Sequence, residues 1–165
     1  MLFRSLAAVN AASEAALGGQ VTPKACTTPA RSGFRPAALQ GAEAAGVTFQ
    51  VAKNMVSEVL IASPAGSASA ALAALVPPHC ASYVAKADGK SVTYSVSETA
   101  VTGIGKQARA LDVHPNGGGA QEMWSLIYRG SGFVGTVTVV GPNASELAVR
   151  ELGQQAYAFA AKSLS

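Results

Sequence analysis

Charge is scarce in this chain. Asp, Glu, Lys and Arg make up 13% of its 165 residues, about half the usual share for a soluble domain. The 12 basic and 9 acidic side chains leave a net charge of +3. They are spread without a basic run or an aromatic-basic ladder, so no nucleic-acid partner is expected. Long apolar runs are also lacking. Apolar residues reach 49% and mean hydropathy is +0.27, but much of this is alanine. No stretch approaches the ~18 to 20 continuous apolar residues of a transmembrane helix. Met1-Leu2-Phe3-Arg4 starts like a signal peptide, yet Asn10, Ser13 and Glu14 interrupt any apolar core. Contact with a membrane is therefore expected only through an anchor outside this sequence.

The usual marks of catalysis are missing as well. Gly66-Ser67-Ala68-Ser69-Ala70 and Gly130-Ser131-Gly132 both fail the Gly-x-Ser-x-Gly pattern of a nucleophile elbow. Gly117-Gly118-Gly119 has no Lys-Ser/Thr behind it to hold a phosphate. The nine acids are scattered, with no evident carboxylate pair for glycoside hydrolysis. Only two histidines occur. His79 beside Cys80 imitates a zinc half-site but has no CxxC or HxxxH partner, and His114 before Pro115 is expected in a solvated loop. No metal site and no cofactor are expected, and the chain does not read as an enzyme.

What is present is one pair of cysteines. Cys26 ends Val21-Thr22-Pro23-Lys24-Ala25-Cys26, and Cys80 ends Val76-Pro77-Pro78-His79-Cys80, each beside a proline-marked boundary. Two cysteines far apart in sequence and outside any CxxC read as a structural disulfide, the other reading being two buried thiols. A bridge would close a loop of roughly 50 residues and stabilise the fold by at most ~4 kcal/mol. It would also place the protein outside the reducing cytosol, secreted or associated with the cell envelope.

The chain length suits a single domain over residues 1–165. Leu2, Leu6, Val9 and Leu17 give a helical stripe that ends at Gly18-Gly19. Residues 20–45 are rich in Pro, Thr, Ala and Gly and read as short turns. Residues 47–51 and 55–62 read as strands. Pro64 is expected to open an alanine-rich helix carrying Leu72 and Leu75, stopped by Pro77-Pro78. Residues 91–98 alternate Val92, Tyr94 and Val96 against Thr93, Ser95 and Ser97, as a strand with one wet face does. Residues 106–113 read as another strand, followed by a loop from Pro115 to Gly119. Asn143 is the expected cap of a terminal helix with Glu146 three positions on, and Val149, Leu152, Ala156 and Phe159 are its expected buried side. The sum is an α+β fold: an antiparallel β-sheet meander with N-terminal, middle and C-terminal helices packed on it, braced by one disulfide.

The hairpin over residues 120–140 allows its register to be argued. With Ser131-Gly132 as a two-residue turn, Tyr128 opposes Gly135, Leu126 opposes Val137 and Trp124 opposes Val139. Ile127 then meets Thr136, and Ser125 meets Thr138. A three-residue loop would mix apolar and polar faces, so the first register is expected, with an aromatic ring over the strand glycine.

Tyr94, Arg109, Trp124, Tyr128 and Arg129 are the candidate ligand-binding residues. Aromatics and cations on strands would line a sheet face left bare by the helices. The plainer alternative, favoured for Trp124, is core beneath those helices, and Arg129 is expected to be solvated.

The order of elements adds a resemblance. Val21 to Cys26, the Pro77-Pro78-His79-Cys80 end of the middle segment and Val134 to Val140 before the last helix resemble actinobacterial exported lipoproteins similar to the extracytoplasmic sensor domain of a mycobacterial receptor Ser/Thr kinase. The resemblance runs over most of residues 2–163. It implies an antiparallel sheet flanked by helices, a disulfide brace and a cleft for an unidentified ligand, with no catalytic residues to carry over. The kinase sensor carries two bridges, where this chain has two cysteines. The leading expectation is a non-enzymatic, sensor-like cell-envelope domain that binds a small or lipidic ligand or another envelope component. The alternatives are a protein-interaction or antigen-like surface module and a cryptic hydrolase, the last requiring a Ser or carboxylate within ~3 Å of a His.

Overall fold

The structure, a computed structural model, describes residues 4–5, 20–31, 34, 39, 42–63, 72–87, 89–117 and 121–164. The strands in chain order are β1 (Arg4–Ser5), β2 (Val21–Thr22), β3 (Glu43–Val51), β4 (Asn54–Ala62), β5 (Ser82–Ala87), β6 (Lys90–Val101), β7 (Gln107–Asn116), β8 (Met123–Arg129) and β9 (Phe133–Val140). Two α-helices accompany them among the described residues: the five-residue α1 (Thr27–Arg31) and the 18-residue α2 (Glu146–Ser163). The strands form one antiparallel sheet in the order β1-β3-β4-β9-β8-β7-β6-β5-β2. It consists of two meanders, β3–β4 and β5 to β9, joined where β4 pairs with β9 from Met55↔Val140 to Ala62↔Phe133. No described helix is long and apolar enough to cross a membrane.

The β8–β9 hairpin has the expected register. Tyr128 pairs with Gly135, Leu126 with Val137, Trp124 with Val139, Ile127 with Thr136 and Ser125 with Thr138. The Gly130 N–H donates to Phe133 O across Ser131-Gly132. These central strands are buried on both faces, so alternate side chains enter two different cores. Ile127 and Val134 join Val59, Ile61, Leu111 and Val113 on one face. Leu126, Tyr128, Val137 and Val139 join Val149, Ala156 and Ala160 of α2 on the other. Ser125 and Thr138, facing the first core, satisfy each other at 2.9 Å.

Three helices packed on the sheet are not what covers it. The first face is covered by two crossing connections whose described residues hold little helix. One leads from β2 at one edge back to β3 and buries Cys26, Ala30, Phe34 and Leu39; the other leads from β4 to β5 and buries Leu72, Leu75 and Cys80. The Cys26–Cys80 disulfide ties them together. The expected N-terminal helix lies outside the described residues except at Arg4 and Ser5, which pair as a strand with Ala44 and Glu43. The expected middle helix lies partly outside them. Its described end, residues 72–77, is irregular, with a 3-10 turn at Pro78–Cys80. The reason is visible in the hydrogen bonds. Leu72 O accepts from Arg109 Nε at 2.8 Å and Leu75 N–H donates to Glu98 Oε2 at 2.9 Å, so sheet side chains take the groups a helix would pair internally.

Three smaller differences have local causes. β7 runs on through His114 and Pro115, beyond the end of its pairing with β8 at Val113↔Met123. A proline is tolerated where the ladder is open on one side. Strand β5, whose alternation is short, was not expected; it is joined to β6 through Asp88-Gly89. The cap of α2 is Ser145, whose Oγ accepts from Ala148 N–H at 3.2 Å, while Asn143 N–H donates to Asn54 Oδ1 at 3.1 Å.

Candidate functional site

The five candidate residues fall on opposite faces of the sheet. Trp124 and Tyr128 lie on the α2 side, with Trp124 half-buried and its Nε1 donating to Glu122 Oε1 at 2.9 Å. Tyr94, Arg109 and Arg129 lie on the disulfide side by strand alternation. Tyr94 stacks on Tyr83 with ring centroids 5.2 Å apart. Burial raises the Tyr94 phenol pKa, and burial followed by the charge of Tyr94 pushes Tyr83 up to about 12. Arg109 is a clamp: besides Leu72 O it meets Glu98, with Nη1 3.5 Å from Oε1. Arg129 is half-buried, and its Nε has no hydrogen-bond partner.

A different place has the shape of a site. Helix α2 packs on β7, β8 and β9, so β3 and β4 extend beyond its cover on the same face. Gly153 sets how closely the helix lies, because a Cβ there would come within 2.1 Å of Leu126 Cδ2. The result is a groove of about 240 Å³, floored by Val56, Glu58 and Val137 and walled by Phe49 on one side and Leu152, Gln155 and Phe159 on the other. Phe49 is 42% and Phe159 66% exposed. Phe159, expected in the helix core, is displaced from it because Val149, Gly153, Ala156 and Ala160 take the buried stripe.

Among the described residues, Glu58 is the only charged one of this lining. Burial raises its carboxyl above the ordinary range, because a charge half out of water favours its neutral form. Next to it lies Tyr128, fully buried, with no partner for its hydroxyl. The tip of its ring sits over Gly135, where a Cβ would come within 2.1 Å of Cζ. Gly135 pairs in turn with Leu60 of β4, two residues from Glu58. Burial, then the Glu58 charge, raises the Tyr128 phenol pKa. An apolar slot thus carries one carboxyl held toward its neutral form.

The residues that build this groove were not found from the sequence. Val47-Thr48-Phe49-Gln50-Val51 was legible as a strand, but nothing local says that its apolar face stays uncovered. The hydrolase geometry is not formed at the paired histidine: His114 Nδ1 is 3.7 Å from Glu122 Oε1, longer than a general-base hydrogen bond of about 3 Å.

No protein-family model and no curated protein matches the chain. Among solved structures, the fold is similar to the extracellular domain of PknH from Mycobacterium tuberculosis, with a TM-score of 0.61 over 92% of this chain and 91% of that one, at 12% sequence identity.

Proposed function

We propose that this chain is a non-enzymatic, sensor-like domain of the cell envelope that binds a lipidic small molecule, an apolar chain with a neutral or cationic head, between α2 and β3–β4. The observation that carries the reading is the groove itself: exposed Phe49 and Phe159 facing a floor that holds one half-buried carboxyl. Its volume is below the ~300 to 1,000 Å³ of drug-sized pockets, which suits a narrow chain. Glu58 then selects the head, since a hydroxyl or ammonium group satisfies a carboxyl and a second carboxylate repels it. The disulfide supports an oxidising location, and the fold likeness to an extracellular domain agrees with it.

The test is an NMR titration with lauryl alcohol, laurylamine and laurate at neutral pH. Shifts confined to residues such as Val56, Leu152 and Phe159, weakest with laurate, are the expected result. Shifts that avoid these residues, or no saturable shifts with any of the three, would sink the reading.

A second reading rests on the edge of β3. Strand β1 pairs only with Glu43 and Ala44, so residues 46–51 have no outer strand partner among the described residues. Val47, Phe49 and Val51 are exposed there, the form in which an edge accepts an added strand from a protein partner. Fast amide exchange along β3 that slows with an envelope protein, and not with lauryl compounds, would favour it.

A further inference from the structure

The other face-sharing cluster on the α2 side lies at the far end of β7 and β8, away from the groove. Asp112 and His114 are two residues apart on β7, so they project from the same face. Glu122 just precedes β8, and its backbone carbonyl accepts from Gly141 N–H at 3.1 Å. One ligand atom from each of Asp112, His114 and Glu122 lies within 4.8 Å of the others.

We infer that Asp112, His114 and Glu122 form a binding site for a first-row divalent cation of the zinc class. Three features carry this. The separation of 3.7 Å between His114 Nδ1 and Glu122 Oε1 is too long for a hydrogen bond but close to the ~3.4 Å between two tetrahedral ligands each about 2.1 Å from one metal ion. Asp112 Oδ1 is buried with no hydrogen-bond partner, so one oxygen of this carboxylate is left unsatisfied by the protein. The Trp124 indole N–H donates to Glu122 Oε1 at 2.9 Å, an outer-shell contact that orients a ligating carboxylate. One imidazole with two carboxylates favours zinc, cobalt or manganese over the all-oxygen preference of calcium and magnesium. The second donor cluster, Cys26, His79 and Cys80, has no such capacity, because both sulfurs are joined in the disulfide and no thiolate is available.

Trp124 is the only tryptophan in the chain and touches the site, so its fluorescence reads occupancy. Titration of the disulfide-intact protein with Co2+ should give saturable quenching, and calorimetry with Zn2+ should give one site per chain. His114→Ala, Asp112→Asn and Glu122→Gln should each weaken binding by about tenfold or more. His79→Ala should leave it unchanged. His114 is 54% exposed, so His114→Ala keeps the fold, which far-UV circular dichroism checks. Absence of saturable quenching, affinity unchanged in His114→Ala, or loss in His79→Ala instead would each overturn the inference.

Discussion

The two faces of the sheet are covered by different means. On the disulfide face, two crossing connections are tied by Cys26–Cys80 and held by Arg109 and Glu98, and both half-cystines are fully buried. On the other face a single helix among the described residues covers β7 to β9 and stops, leaving Val47, Phe49 and Val51 of β3 exposed. The disulfide and the Arg109–Glu98 clamp sit on the first face, and the open apolar surface and the half-buried carboxyl sit on the second. The braced face and the proposed binding groove are thus separated by the thickness of one sheet, and variants can address them independently.

The largest expected effect belongs to the sealed face. Cys26→Ala with Cys80→Ala releases a link between residues 54 apart, which should lower stability by about 2 to 4 kcal/mol in urea unfolding. A loss under about 1 kcal/mol would mean that the crossing connections pack without their tie. Next is Gly135→Ala beneath Tyr128. The new methyl group occupies the place of the ring, and overpacking of this kind should cost about 2 to 3 kcal/mol. A neutral result would show that the ring moves easily toward the groove.

Glu58→Gln sharpens the comparison through pH. Burial raises the folded-state carboxyl above its ordinary ~4.3, so the folded protein holds a proton that the unfolded chain has released. The stabilising contribution is complete in acid and is lost as pH rises through the folded value. The variant should therefore gain on the wild type between pH ~4 and neutrality, read as a widening gap in urea midpoints. A gap that is constant with pH would contradict the burial of Glu58. The smallest effect should come from Phe159→Ser on the helix flank, with a change in stability within about 0.5 kcal/mol. The same variant should weaken laurylamine binding severalfold, so recognition would change with little effect on folding.

The hairpin was legible to the residue because Trp124, Leu126 and Tyr128 alternate with Ser125, and the glycine turn permits one register that sorts apolar from polar side chains. The strands expected at 47–51 and 55–62 were legible as well, within the observed Glu43–Val51 and Asn54–Ala62. The described end of the middle segment, residues 72–77, was misread because alanine favours a helix locally, while Leu72 and Leu75 are claimed by Arg109 and Glu98 from strands far along the chain. Phe159 was misread because a helical stripe shows an apolar side without showing how far the opposing sheet extends. Asp112 and His114 were separated by ending β7 before His114; carrying the two-residue alternation one step further would have put them on one face. Glu122 was beyond reach, since its place depends on the pairing of β8.

The strand order also has a consequence in time. The β3–β4 hairpin finds its inner neighbour only in β9, and Cys26 meets its partner 54 residues later. A chain made from its N-terminus at about 5 to 20 residues per second therefore carries its first third for several seconds before the strand that completes the sheet arrives. The two meanders close around the last strand to appear.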